Sequence, residues 1–183
     1  MDWLLARASS EIGLLLAVTG AALVIGLPIV LWRRRRLGWT KAAWITSVEA
    51  AMIGSLLFIG VLTLGSFGVG GHGQFNVVPF GSLIESLDQG EFYVQLTVFD
   101  IIANAALFIP LGMAIGLRFP RMKIGVCLAA LVAVAGSIEV VQGALLARSG
   151  DITDVITNTA GGFAGYLVAQ ILYRGWPYRR QTG

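Results

Sequence analysis

Five long apolar runs dominate this chain, and they leave few folds open to it. They span about Ile12 to Trp32, Ala42 to Leu64, Leu96 to Leu117, Ile124 to Leu146 and Val155 to Tyr173. Each has roughly 19 to 23 residues, enough to cross a hydrocarbon core of about 30 Å. Inside lipid every backbone N–H and C=O needs a partner within the protein, so such runs fold as helices. The alternating ten-residue segments of a membrane barrel are not found. The composition agrees: 56% of the 183 residues are hydrophobic and 13% charged, against about 25% charged in soluble domains. The expected fold is an all-α integral membrane protein, a bundle of about five transmembrane helices.

Charge placement orients the bundle. Arg33 to Arg36 with Lys41 lie between the first two runs, Arg118, Arg121 and Lys123 between the third and fourth, and Arg174, Arg179 and Arg180 after the fifth. With five spans all three clusters share one side, which the positive-inside rule makes cytoplasmic. The N-terminus is then outside and the C-terminus inside, in a bacterial cytoplasmic membrane. The first run is too long for a secretory signal and ends in four arginines, not in a cleavage site. The net charge of +3 therefore reports topology, not nucleic-acid binding. The expected organisation is two N-terminal spans with a basic loop over 1–64, an outer loop with three spans over 65–174, and a cytoplasmic tail over 175–183.

The long outer connection opens with a Gly-rich stretch, Gly65 to Gly73, that reads as flexible backbone. Beyond it Leu83, Ile84 and Leu87 have helical spacing and predict a short amphipathic helix in the membrane interface.

Acids and amides inside spans are costly and as a rule functional. Asp100 and Asn104 lie four apart in the third span, Glu139 and Gln142 three apart in the fourth, and Asp154 and Asn158 four apart in the fifth, with Asp151 just before. Residues three or four apart share a helix face. At about 1.5 Å per residue, Asn104, Glu139 and Asn158 sit about 6–12 Å below the outer ends of their helices. The simplest packing turns the three stripes toward one outward-facing pocket, with Arg148 as the nearest cation. Polar glue between helices explains one Asn or Gln; several carboxylates beside one arginine call for more.

Other features carry less. Gly161 and Gly165 form a GxxxG pair suited to close helix contact. Pro110 should kink the third span below Asn104. Cys127 stands alone in an apolar run and reads as packing. His72 lacks the partners that zinc sites and catalytic triads need. No cofactor motif is present: the chain carries no phosphate loop, nucleophile elbow or CxxC pair.

Four segments together resemble the VanZ-like family. They are Asn76-Val77-Val78-Pro79-Phe80; Asn104 with Phe108-Ile109-Pro110-Leu111-Gly112; Ser137-Ile138-Glu139-Val140-Val141-Gln142; and Arg148 to Asp154 followed by Asn158 and Gly161 to Tyr166. In this order they cover roughly residues 76 to 166. The family's name-giving member is an accessory factor in resistance to the glycopeptide teicoplanin. The resemblance implies action on a cell-wall antibiotic at the outer membrane face and nominates Asn76, Pro79, Asn104, Glu139, Gln142, Arg148, Asp151, Asp154 and Asn158. Thr153 departs from the family, where many relatives carry a further acid, and this weakens the case for a metal.

Three functions fit these residues. A binding module would hold a lipid head group or a lipid-anchored antibiotic. A membrane enzyme would use Glu139 or Asp154 as general acid or base on an outer-leaflet lipid, with a divalent cation among Asp100, Glu139, Asp151 and Asp154 as a variant. A structural or partner-binding protein would need the acids only for folding. The expected partners are membrane lipids and an outer-leaflet ligand, not nucleic acid.

Overall fold

A computed structural model of the chain describes residues 27–64, 75–145 and 149–175. The Gly-rich segment with His72, the loop position Arg148 and most of the first apolar run lie outside the described residues. The helices are α1 (27–37), α2 (Trp39–Leu64), α3 (Gly81–Gln89), α4 (Glu91–Arg118), α5 (Ile124–Leu145) and α6 (Ile152–Gly175). Two short strands, β1 (Phe75–Asn76) and β2 (Gly150–Asp151), complete the elements.

Among the described residues four helices, α2, α4, α5 and α6, are long and apolar enough to cross a membrane. They match the second to fifth apolar runs; α2, α4 and α6 extend theirs by a few residues, mainly at the amino-terminal ends, and α5 starts at the same residue as its run. α4 continues through Pro110 as one helix. The spans turn much apolar surface outward: Phe99 is 71% and Ile171 70% exposed. In water that surface would be a liability; for lipid-solvated helices it is the expected state.

The chain forms two compact units, 1–50 and 51–183. In the first, Arg33 of α1 donates to Glu49 of α2 at 2.6 Å, and its guanidinium also lies 3.4 Å from the Thr46 hydroxyl. Arg34 stacks on Trp39 and Arg36 on Trp32. Glu49 is a carboxylate within the second apolar run, outside the three polar stripes. A charge in such a run is costly, and the arginine four residues before Leu37 compensates it.

The second unit is organised around α4 and α6. A Cβ on Gly161 would overlap the Ala105 carbonyl, one on Gly165 the Ile109 carbonyl, and one on Gly112 the Gly162 carbonyl. The two backbones are therefore in direct contact along this seam, as the GxxxG spacing predicts. Phe108, Leu111, Cys127, Leu131, Ala135, Ile138 and Tyr166 form the core beside it, and Cys127 is buried as expected for a packing residue. At one end Tyr166 donates its hydroxyl hydrogen to the Met122 carbonyl in the α4–α5 turn, 2.7 Å away. At the other end β1 and β2 pair in parallel, Phe75 with Gly150 and Asn76 with Asp151. This pair brings two segments 75 residues apart in sequence into one corner.

Candidate functional site: an acid-lined cleft at the strand-pair end

The corner begins with the turn between β1 and α3. Gly81 N–H bonds to the Val78 carbonyl at 3.0 Å, closing a four-residue turn with Pro79 in its second position. Proline's fixed φ suits that place. Phe80 follows with φ 57° and ψ 21°, a left-handed conformation seldom taken by a residue with a side chain. Its N–H donates to the Thr153 hydroxyl at 2.9 Å, which holds the turn on the start of α6. Pro79 is exposed and shapes the loop. α3 then forms where Leu83, Ile84 and Leu87 predict a helix. Ile84 and Leu87 are exposed, whereas Ser86 is buried.

Asp151 is the hub of the corner. Its Oδ1 accepts from Thr153 N–H at 2.7 Å and so caps α6. Its Oδ2 accepts from Asn76 Nδ2 at 2.9 Å and from the Ser82 hydroxyl at 3.2 Å. Its own N–H donates to Glu139 Oε2 on α5 at 2.9 Å. A carboxylate with both oxygens committed at a helix N-terminus is a structural anchor, favoured there by the helix dipole. Gly150 and Gly143 leave room for the Phe75 ring, which a Cβ on either would crowd.

Asp154, in the first turn of α6, accepts from Asn104 Nδ2 of α4 at 2.7 Å. This bond crosses the same helix pair that the glycines bring together. Asp100 lies one turn before Asn104 and is exposed. Between α3, the first half of α4 and the β2–α6 corner is a cleft of about 190 Å³, lined by Ser82, Leu83, Thr97, Asp100, Ile101, Ser149, Asp151, Thr153 and Asp154. Three carboxylates and four hydroxyls thus share one wall with two apolar side chains.

The three polar stripes do not all meet there. Glu139 is 6% exposed and lies behind β2, off the cleft wall. Gln142 donates instead to the Thr63 carbonyl of α2 at 2.8 Å, tying α5 to the end of that helix. Asn158 is buried at 2% exposure, and its Oδ1 has no hydrogen-bond partner among the described residues, as has Gln142 Oε1. No group of three acids, histidines or cysteines among the described residues is placed to share a cation; of Asp100, Glu139, Asp151 and Asp154, Glu139 does not line the cleft that the other three share.

Ser82 and Thr153 are site residues that the sequence reading did not nominate. In the sequence Thr153 stands out only for the charge it lacks. Its hydroxyl at N2 of a helix, where it can bind a neighbouring loop amide, was a usable signal; the pairing of Ser82 with Asp151 had none.

The chain is 31% identical over 93 residues to Protein VanZ of Enterococcus faecium. That alignment covers 50% of this chain and 58% of the relative, so the chain spans just over half of the relative's length. No solved structure matches. The VanZ/LLP1 family model matches residues 51–173, which takes in α4, the strand pair, the cleft and the glycine seam. Since that match covers most of the sequence and four apolar helices accompany it, the chain is a multi-pass membrane protein that belongs to the VanZ/LLP1 family.

Proposed function

We propose that this protein sits in the bacterial cytoplasmic membrane as a five-span bundle, N-terminus outside and C-terminus inside. In this reading the cleft opens to the outer face and binds the polar head group of an envelope lipid or of a lipid-anchored cell-wall antibiotic. It contributes in this way to resistance of the teicoplanin type. The orientation rests on the basic clusters at the end of α1, at and after the end of α4, and at the end of α6.

The observation that carries the reading is the pairing of Asp100 and Asp154 on the wall of the cleft. Two acids with hydroxyls around them suit a cationic or hydroxyl-rich group. A volume of about 190 Å³ is below the roughly 300–1,000 Å³ of sites that enclose a whole drug-sized ligand. The bound part is therefore a head group, with the remainder of the ligand outside the cleft. Asp151, with its oxygens already engaged, supports the wall.

The test is teicoplanin susceptibility of a sensitive host that expresses the chain. Asp154→Asn and Asp100→Asn should remove protection while membrane abundance stays at the wild-type level. Protection that survives both substitutions overturns the reading. Loss of abundance in step with loss of protection, for the exposed Asp100 as well as Asp154, assigns the acids to folding alone.

A further inference from the structure

A second cavity lies at the opposite end of α4. Asp100 and Arg118 are separated by about 27 Å along this helix at 1.5 Å per residue. Beyond Arg118 the α4–α5 turn forms an open groove of about 340 Å³, lined by Phe119, Pro120, Arg121, Met122, Lys123 and Val126. Its geometry is tied down: the Phe119 amide bonds to the Ile115 carbonyl at 2.8 Å, the Met122 amide to the Phe119 carbonyl at 2.9 Å, and the Met122 carbonyl accepts from Tyr166. The Arg118 guanidinium stacks 4.9 Å from the Phe119 ring. Arg121 and Lys123 are exposed, and among the described residues neither has a hydrogen-bond or ion-pair partner.

Four of the six lining side chains are apolar. Phe119 and Val126 remain 39% and 55% exposed. Two unpaired cations flank an apolar channel that continues onto the outward surface of α5, where Ile124 is 53% exposed. A free phosphate would use the cations and gain nothing from the channel. A glycerophospholipid uses both: its phosphate pairs with Arg121 and Lys123, and its glycerol and first acyl methylenes cover Phe119, Met122 and Val126. Basic pockets between membrane helices have this chemistry.

We propose that the α4–α5 turn is a binding site for an anionic phospholipid, in the leaflet that contacts the end of the bundle opposite the acid-lined cleft. The site is independent of what the cleft binds.

The experiment uses the full-length protein purified from vesicles of phosphatidylglycerol and phosphatidylethanolamine, with retained lipid read by native mass spectrometry and affinity by titration. The wild type should retain phosphatidylglycerol in preference to phosphatidylethanolamine. Each charge removed should cost about fivefold in affinity, so R121Q with K123Q should cost about twenty-five-fold. F119S with V126S, which keeps both cations, should also weaken retention. Millimolar inorganic phosphate should not displace the lipid. R34Q with R36Q, at arginines already stacked on tryptophans, should leave retention close to wild type. Unchanged retention in R121Q/K123Q overturns the proposal. So does full displacement by inorganic phosphate, unchanged retention in F119S/V126S, or an equal loss in R34Q/R36Q, which would indicate diffuse attraction to any basic segment.

Discussion

The pair α4 and α6 is held together in two different ways along its length. In the middle, Gly112, Gly161, Gly162 and Gly165 remove side chains so that backbone meets backbone. At the strand-pair end the same two helices are joined through polar groups, Asn104 to Asp154, with Asp151 binding Asn76 and Ser82 beside them. Lipid gives no hydrophobic drive for helix association, so close packing and hydrogen bonds must supply it. The glycine seam supplies shape and tolerates no added atoms. The polar end supplies a rim that is partly open, and a rim with exposed acids is able to bind something. Stability should therefore concentrate in the seam and function in the rim.

The largest effect should come from the seam. Gly161→Leu has no room beside the Ala105 carbonyl, and no folded protein should be recovered in detergent. Gly161→Ala should cost at least about 3 kcal/mol, the upper end of ordinary overpacking penalties, measured by reversible unfolding in mixed micelles. A near-neutral Gly161→Ala would mean that the seam yields easily, and the contrast between the two regions would disappear.

At the edge of the rim, Thr153→Val removes the acceptor for the Phe80 amide. The bond is partly buried, so its loss should cost about 1 kcal/mol, the low end for an unpaired donor. Hydrogen exchange at Phe80 should quicken, and Thr153→Ser should restore most of the protection. Exchange that does not respond would show that the left-handed turn is held by other contacts.

Smaller still is the coupling between Asn104 and Asp154. A double-mutant cycle with Asn104→Ala and Asp154→Ala should give about 0.6 kcal/mol and less than about 1.7 kcal/mol, the range known for such bonds in membranes. The smallest effect belongs to Asp100→Asn. This exposed side chain should change stability by no more than about 0.5 kcal/mol while altering protection against the antibiotic. A destabilisation above about 1 kcal/mol would make Asp100 structural, with the same status as Asp151.

Much of the fold was legible because the solvent acts on each segment separately. A run such as Ile124 to Leu146 must be helical in lipid whatever it packs against. Its ends were readable from Lys123 before it and from the return of polar residues after it. The 3.6-residue period placed Asp154 and Asn158, and Gly161 and Gly165, on shared faces without knowledge of their neighbours. The candidate site was legible in its members more than in its arrangement. Asp151 and Asp154 look alike in sequence, yet one is spent on capping α6 and the other lines the cleft wall on the bond from Asn104.

That the chain crosses a membrane several times, where its apolar runs lie and which helices carry polar stripes can all be read from the residues in order. These properties follow from local composition and helix period. Which polar group meets which depends on how the helices pack. Gln142 turns to the Thr63 carbonyl, 79 residues away. Glu139 holds the Asp151 amide behind the wall, and Thr153 holds Phe80 across 73 residues. The parallel pairing of two residues with two others creates that corner, and a strand pair so short has no period to read. Asp100 and Asp154 become neighbours on the cleft wall because glycines let two backbones touch, a contact defined by the absence of side chains on both helices at once.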